Sequence, residues 1–411
     1  MVHKVGVINK NRGELKSFKM GKKTKNTKLL ELTLLLASAL TILANAIIAP
    51  ALPQISAAFS NIQDAEILTK LMLTLPALVI AIVAPLAGRL MDKIGRIKIM
   101  AASLIIYFLA GTSGYWLPGL FSILVSRVVF GFGVAGIMTV ATTLIGDYFT
   151  GSKREHFMGL QGAFIAMGGF VFITIAGVLT DIDWRLTFLV YAFSVVVLIL
   201  VPISLYEPHF DKEREAISDD DSQTVPKEVW LAIFSAFIII VCFYVIPVQI
   251  PYYLQKFEGI TGNMIGLALG SLTVAQAIGS FYYKRVKRYF DYVTIFSLGF
   301  VPMATGFFII GFSNLYWQVI LGVLLCGLGV GLMMPNANLW VINLVPVLQR
   351  GKYVGGITTA TFLGMFLSPI IIQPIQNVVG INVSFIILGI SLAFLSVSYL
   401  IIRIIVMKKS H

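Results

Sequence analysis

The chain has 411 residues, of which 58% are hydrophobic and 12% are charged, and its formal net charge is +12. Soluble globular domains are about 45–50% apolar, so this composition and a mean hydropathy of +0.90 exclude that class and predict an integral membrane protein. Both cysteines, Cys242 and Cys326, lie inside apolar runs, which argues against a disulfide framework and against a thiolate metal site.

Apolar runs of about 20 residues, the length of a transmembrane helix, recur along the whole chain. Each run must form a helix because the hydrocarbon core offers no partner to an unpaired backbone group. The predicted spans are 29–52, 68–91, 97–116, 119–143, 156–180, 184–206, 229–254, 262–283, 293–312, 316–344, 352–378 and 382–405. The predicted fold class is therefore an all-α membrane protein with twelve transmembrane helices.

The charges of the chain predict its orientation. Residues 1–28 contain nine Lys and Arg residues and no apolar run, so they are predicted to be a basic tail and not a signal peptide. Of the 31 Lys and Arg residues, 27 fall on the side of this tail. Because such residues mark cytoplasmic loops, both termini are predicted to be cytoplasmic. The net charge then reflects topology and anionic lipid headgroups, and no nucleic-acid partner is predicted.

A short charged segment separates the second and third spans. It reads Gly88-Arg-Leu-Met-Asp-Lys-Ile-Gly-Arg-Ile-Lys98. Its glycines, its aspartate and its basic residues stand at the spacing of the loop between the second and third helices of the major facilitator superfamily, which this sequence resembles. The alternative is that the basic residues only anchor the topology.

Arg127 is the most informative charge inside a span. It lies about eight residues into the fourth span, at a depth of about 12 Å, where a guanidinium costs about 2.5–3.5 kcal/mol on insertion scales. Arg127-Val-Val-Phe-Gly131 resembles the fourth-helix motif of the superfamily, whose arginine lies in the cavity and is implicated in proton transfer. The alternative is a structural arginine that is bonded to backbone carbonyls.

Amide side chains inside other spans are further candidates for a substrate cavity, because a polar group in lipid tends to face a cavity or a partner. Each could equally form a hydrogen bond between helices. The predicted cavity residues, together with Arg127, are Asn45, Gln249, Gln276, Asn336 and Asn338.

The chain divides into two related halves. The polar stretch 207–228 is predicted to be a flexible cytoplasmic linker between a bundle at 29–206 and a bundle at 229–407. An offset of 196 residues relates Gly131 to Gly327, Gly133 to Gly329, Asp147 to Asn343, Arg154 to Arg350, Gly159 to Gly355 and Gly168 to Gly364. A parallel repeat of this kind relates the two six-helix halves of the superfamily, and the substrate site lies between them.

A second charged group is predicted at the cytoplasmic mouth. The run Leu144–Phe149, followed by Arg154, resembles the segment after the fourth helix of the superfamily. That resemblance implies that Asp92, Arg96 and Asp147 latch the halves together when the transporter faces outward, and such a cluster can also accept protons. The alternative is topological anchoring. The predicted gating residues are Gly88, Arg89, Asp92, Gly95, Arg96 and Arg154, and those for proton coupling are Arg127, Asp92 and Asp147.

Likeness to one branch of the superfamily predicts the function. The runs at 49–53, 184–188 and 206–208 resemble the twelve-helix drug:proton antiporters, although Phe172-Ile173 replaces the Gly-Pro that exporters often carry. Such antiporters also often embed an acidic residue in the first or seventh helix, and neither predicted span has one within the membrane, since Glu31 lies at the inner end of the first span. The resemblance implies proton-coupled export of a small amphipathic compound by alternating access.

Two other functions stay open. An importer or facilitator would use Arg127 to hold a polar or anionic solute, and a sensor would keep the fold without transport. An enzyme is not predicted, since the spans contain no nucleophile and base pair and no metal-ligand cluster. ATP-driven transport is not predicted either, because the chain has no phosphate-binding loop. No cofactor and no metal are predicted. The expected partners are a small molecule, protons and the lipid bilayer, and the chain is expected to act as a monomer in a bacterial cytoplasmic membrane.

Overall fold

The computed structural model describes residues 27–208, 225–346 and 349–409. Most of the predicted tail and most of the predicted linker lie outside these residues. Within them, 12 helices are long and apolar enough to cross a membrane. The structure therefore has the all-helical, twelve-span architecture that the apolar runs predict.

The helix bounds follow the predicted spans with small shifts. The first half contains α1 (Thr27–Ala46), α2 (Leu52–Ala58), α3 (Ala65–Ile94), α4 (Arg96–Thr112), α5 (Leu120–Tyr148), α6 (Gly151–Ile182), a 3₁₀ helix (Trp184–Phe193) and α7 (Ser194–Ser204). The second half contains α8 (Lys227–Leu254), α9 (Gly262–Lys287), α10 (Tyr292–Gly311), α11 (Tyr316–Leu344), α12 (Arg350–Val379) and α13 (Ile381–Lys409). We call the face that carries Thr27 and Lys409 the terminus face and the opposite one the distal face.

The predicted turn between the second and third spans is much shorter in the structure. Helix α3 continues to Ile94, so Gly88 lies inside the helix and only Gly95 separates α3 from α4. Gly95 has a φ of +108°, a conformation that side-chain-bearing residues rarely adopt. The charged segment is thus a tight helix-to-helix corner and not a loop.

The two halves repeat the same glycine contacts. A Cβ on Gly133 would lie 2.9 Å from the Ser103 carbonyl oxygen, and a Cβ on Gly329 would lie 2.4 Å from the Gly299 carbonyl oxygen. The contacted residues are themselves 196 positions apart. Small residues let helix backbones approach closely in membranes, so each half joins its third and fourth membrane-crossing helices through the same glycine.

The halves contact each other on the distal face. At the ends of α6 and α9, the Asp181 carboxylate accepts hydrogen bonds from the Gly262 and Asn263 amides, at 2.5 and 3.0 Å. Deeper along the same helices, the Thr273 hydroxyl lies 3.2 Å from the Ala166 carbonyl oxygen. These contacts close the distal side.

Toward the terminus face, a groove of about 790 Å³ lies between α3 and the helices α8 and α12. Its lining includes Pro85 from the first half and Trp230, Phe234, Thr359 and Leu363 from the second. The contacts between halves named above lie toward the distal face, and the groove lies toward the terminus face.

A methyl group on Gly329 is expected to destabilise the fold. In Gly329→Ala the Cβ would meet a backbone oxygen of α10, so the two helices must move apart, at a cost of about 1–3 kcal/mol. Thermal unfolding in detergent micelles should show the lower midpoint. Gly159→Ala is the control, because no heavy atom lies within 4 Å of the position that its Cβ would take; an equal loss there would contradict the packing argument.

Candidate functional site

Arg127 is buried inside the first half. Its side chain has no exposed surface, and its Nη2 donates hydrogen bonds to the carbonyl oxygens of Ala110 and Gly111, both at 2.9 Å. Those carbonyls end α4, where the helix dipole is negative. Nε and Nη1 meet no acceptor at good hydrogen-bonding geometry among the described residues, although the Tyr191 hydroxyl interacts with the guanidinium. The positive charge is therefore compensated by backbone oxygens and not by a carboxylate of the described chain.

Three aromatic rings surround the guanidinium. Its Cζ lies 4.6 Å from the centre of the Phe130 ring and 5.2 Å from the Phe188 and Tyr191 rings. The Tyr107 ring packs against Phe130 at 4.6 Å, and its hydroxyl donates to the Leu40 carbonyl at 2.9 Å. Cation–π attraction is strongest where water is excluded, so this cage stabilises a charge that lipid would not tolerate.

The contacts of Arg127 match the second role considered for it, an arginine bonded to backbone carbonyls. In this conformation the side chain is not exposed to a cavity. Its Nε and Nη1 nevertheless keep donor capacity for a group that arrives when the helices rearrange. A part for Arg127 in substrate binding or proton coupling stays a prediction.

Gln249 is the predicted cavity residue with the most unused hydrogen-bonding capacity. It is fully buried on α8, between Pro247 and Pro251. Its amide oxygen and nitrogen have no hydrogen-bond partner among the described residues. A proline leaves the backbone carbonyl one turn earlier without its helix hydrogen bond. This buried stretch of α8 therefore contains backbone carbonyls as well as the Gln249 amide.

The other predicted amides are engaged or lie elsewhere. Asn336 is fully buried, and its amide donates to the Tyr292 carbonyl at 2.8 Å. Asn338 donates to the Met334 carbonyl of its own helix at 3.0 Å. Gln276 is half-buried on α9, and the side chain of Asn45 lies outside the described part of the structure. Among the described residues, the contacts of Arg127 therefore include none of these amides.

At the terminus face the structure joins Arg96, a predicted gating residue, to Asp147, a predicted proton-coupling residue. Arg96 Nε lies 2.9 Å from Asp147 Oδ2, and both side chains are largely buried. Arg154 packs beside them, since a Cβ on Gly146 would lie 3.3 Å from Arg154 Nη2. The side chains of Arg89 and Asp92 lie outside the described residues. The Arg96–Asp147 pair joins α4 to α5 within the first half.

Glu207 contributes to this corner, and sequence analysis does not predict it. Its carboxylate accepts hydrogen bonds from the amides of Arg96 and Ile97, at 2.6 and 3.0 Å. It therefore caps the start of α4 from the far end of α7. Capping by a carboxylate also suits the positive end of the helix dipole. The sequence feature that contains Glu207 is the Tyr206-Glu-Pro208 run. By itself that run indicates only a likeness to the family and not a capping role.

The second half has a counterpart to this corner in which the position of Glu207 carries a positive charge. Offsets of 196 relate Gly95 to Asp291 and Glu207 to Arg403, and Arg403 Nε lies 2.9 Å from Asp291 Oδ2. Asp291 also accepts from the Thr294 amide at 2.8 Å. Burial alone would raise the pKa of Asp291, but the hydrogen bonds from Thr294 and the Arg403 charge outweigh it and lower that pKa below its usual range.

The Arg96–Asp147 pair also has a counterpart in the repeat. The equivalent residues are Tyr292 and Asn343, and Asn343 Nδ2 donates to the Tyr292 hydroxyl at 2.5 Å. The same helix-to-helix contact is therefore ionic in the first half and neutral in the second. Only in the first half is this contact made by two oppositely charged side chains.

A charged pair on α3 is also absent from the sequence-based prediction. The predicted second span starts at residue 68 and leaves Glu66 in a loop, but α3 begins at Ala65. Lys70, one turn later, has no exposed side-chain surface and pairs with Glu66. The i,i+4 spacing of an acid and a lysine ahead of an apolar run could have indicated this pair.

Comparisons with known proteins place this geometry in context. The sequence model of the Major Facilitator Superfamily matches residues 34–261 and 232–410. The Multidrug transporter protein MdtP of Bacillus subtilis is 29% identical over 175 residues, which span 42% of this chain and 31% of MdtP. The Quinolone resistance protein NorA of Staphylococcus aureus is 21% identical over 327 residues, which span 76% of this chain and 81% of NorA.

Solved structures share the fold. A bacterial homolog of the human lysosomal transporter Spinster, inward-facing and occupied, has a TM-score of 0.74 at 15% identity and covers 93% of this chain and 97% of its own. A D-xylose-proton symporter has a TM-score of 0.73 at 14% identity, covering 91% and 97%. At these identities the likeness shows the architecture and not the substrate.

Proposed function

This chain belongs to the Major Facilitator Superfamily, and on that premise we propose that it exports a small amphipathic compound in exchange for protons. The resemblance found in the sequence is confirmed by the family match. The chain is a membrane-embedded transporter with a small-molecule substrate, and not an enzyme. The coupling to protons, the direction of transport and the class of substrate are the parts that we propose.

The observation that carries the proposal is the likeness to two relatives whose names refer to drugs. NorA, named for quinolone resistance, aligns with 76% of this chain, and MdtP is named as a multidrug transporter. The groove toward the terminus face supports a compound that is partly apolar, since Trp230, Phe234 and Leu363 line it and binding sites for such compounds are mainly apolar.

We propose that the terminus face is cytoplasmic and that the chain resides in a bacterial cytoplasmic membrane. The excess of Lys and Arg on that side supports this orientation. The halves 29–206 and 229–407 would rock about the midplane as two bodies, and the linker 207–228 would let them move. A single chain holds both halves, so we propose a functional monomer.

Import of a small polar solute is the second candidate. The Niacin transporter NiaP of Acinetobacter baylyi is 32% identical over 111 residues, which span 27% of this chain and 25% of NiaP. Nε and Nη1 of Arg127 could hold an anionic group in another conformation. This local likeness is shorter than that to NorA, so export ranks first.

Proton flux in proteoliposomes tests the proposal. A pH-sensitive dye is trapped inside vesicles of the purified protein, a pH gradient is imposed, and cationic, neutral and anionic compounds are added in turn. We expect an amphipathic compound to drive proton movement opposite to its own. Movement in the same direction would favour the importer, and transport without proton flux would contradict the coupling. Protein-free vesicles provide the leak control.

A further inference from the structure

A buried lysine joins the two halves on the distal face. The Lys70 ammonium donates to the Glu66 carboxylate, one turn earlier on α3, and to the Gln373 side-chain oxygen on α12 at 2.6 Å. The Tyr252 ring of α8 lies 4.6 Å from Lys70 Nζ. Two helices of the second half therefore cover a cation that belongs to the first.

The partners of this lysine are themselves held in place. Gln373 donates to Asn377 Oδ1 at 2.9 Å and lies 3.4 Å from Glu66 Oε1. The Tyr252 hydroxyl donates to the Leu52 carbonyl at 3.2 Å, at the distal end of the first half. The cluster is thus a built contact between halves and not a chance surface pair.

Lys70 and Glu66 differ in their access to water. Lys70 has no exposed side-chain surface, whereas Glu66 keeps 44% of its side-chain surface exposed. A buried ammonium is tolerated only while a counter-charge stays beside it, and Glu66 supplies that charge. Because its carboxylate reaches distal water, a proton can arrive there without any rearrangement of the helices.

We propose that Lys70, Glu66 and Gln373 form a latch that closes the distal mouth, and that a proton on Glu66 releases it. The proton passes from distal water to the carboxylate and leaves the Lys70 ammonium without a counter-charge. Separation of α3 from α12 then returns the ammonium to water. This inference rests on the proposed transport function, because only a transporter needs its distal mouth to open.

The direction of the pH dependence follows from the protonation of Glu66 in the closed and open states. The closed state requires a charged Glu66, while the open state accepts either form, so the open state binds more protons on average. Acid therefore favours opening, by up to about tenfold per pH unit for one proton. The other titratable groups near Glu66 are Lys70 on its own helix, Asp64 just before that helix, and Tyr252 on α8; α12 presents the amides Gln373 and Asn377.

Distance measurements between spin labels test the latch without any substrate. The full chain, with Cys242→Ala and Cys326→Ala, carries labels at Gln63→Cys and Val378→Cys, which are exposed positions on the distal side of each half. Pulsed dipolar spectroscopy in lipid nanodiscs is recorded between pH 8 and pH 4, a range that extends below the usual pKa of a solvent-exposed glutamate. We expect a short distance at pH 8 and a growing long-distance population at pH 4.

Three variants separate the latch from a general effect of acid. Glu66→Gln should give the long distance at both pH values, because the ammonium is left unbalanced. Lys70→Met should give the short distance at both, because no buried cation remains. The double variant Glu66→Gln/Lys70→Met should also stay short, which shows that the charge and not the lost contact opens the mouth.

Asp181→Asn is the matched control, since Asp181 is another carboxylate that bridges the halves on the distal face. It should keep the pH response. A normal pH response in Glu66→Gln, or its loss in Asp181→Asn, would overturn the proposal. Because no transport is measured, the latch can fail while proton-coupled export stands, and it can stand while proton flux is absent.

Discussion

Arg127→Lys is expected to reduce substrate transport by at least about tenfold, equivalent to about 1.4 kcal/mol. A lysine keeps the charge but loses the planar guanidinium that stacks among the rings of Phe130, Phe188 and Tyr191. Its ammonium also lacks the rigid fork that an arginine offers. The measurement is initial uptake rate in proteoliposomes at equal protein content.

Arg127→Met separates the two roles of this residue. If the charge serves proton coupling, the variant should still move substrate down its gradient while proton flux is lost. If the arginine is structural, both fluxes should fall together with the thermal midpoint, since the Ala110 and Gly111 carbonyls lose a charged donor that is worth about 1.5–3 kcal/mol per bond.

Arg185→Lys is the matched control for both variants. Arg185 also donates to backbone carbonyls of the connection after α4, among them Leu117 at 2.9 Å, but it lies at the distal surface. Water can replace those bonds, so little loss is expected. If Arg185→Lys reduced transport as much as Arg127→Lys, burial would not explain the effect.

The sequence predicts the fold well because membrane physics leaves few options. Twenty apolar residues must cross as a helix, and positive residues collect on one side, so the architecture follows from composition and spacing. Errors occur at helix ends. Helix α3 begins at Ala65 and ends at Ile94, both beyond the predicted span, because polar residues can extend a helix into the interface.

Side-chain facing is much harder to predict. Depth along a helix follows from residue number, but the direction around the helix axis depends on which helix packs there. Depth alone therefore makes Asn336 a cavity candidate, although its amide is taken up by the Tyr292 carbonyl. The pair of Lys70 and Glu66 is not predicted for a related reason. Because the predicted helix starts three residues too late, Glu66 falls outside it and the i,i+4 spacing of the two residues is not recognised.

The repeat provides information that neither half gives alone. Gly133 and Gly329 make the same backbone contact, so the halves fold alike. At the terminus face the same positions carry different chemistry, with Arg96 and Asp147 in one half and Tyr292 and Asn343 in the other. If the fold alone determined these positions, the two halves would be expected to carry the same charges there. Because they do not, Asp147 is a candidate for a role beyond folding.

Asp147→Asn is expected to lower both stability and transport. It removes a charge that pairs with Arg96, whose side chain is only 9% exposed. Because this ion pair is more buried than a surface pair but is not fully buried, we expect the substitution to lower the free energy of unfolding by about 1–3 kcal/mol. Thermal unfolding in micelles and transport in proteoliposomes measure the two effects. Asn343→Asp is the control, because that position is exposed in the second half and should tolerate a charge.

The double variant Arg96→Tyr/Asp147→Asn gives the first half the neutral pair of the second. A tyrosine and an asparagine can make the hydrogen bond seen between Tyr292 and Asn343, so stability should recover to a large extent. If the ionic pair only holds α4 against α5, transport should recover with it. If its charges take part in opening the terminus face, stability should return while transport stays low. Recovery of neither would mean that Arg96 and Asp147 act through partners other than each other.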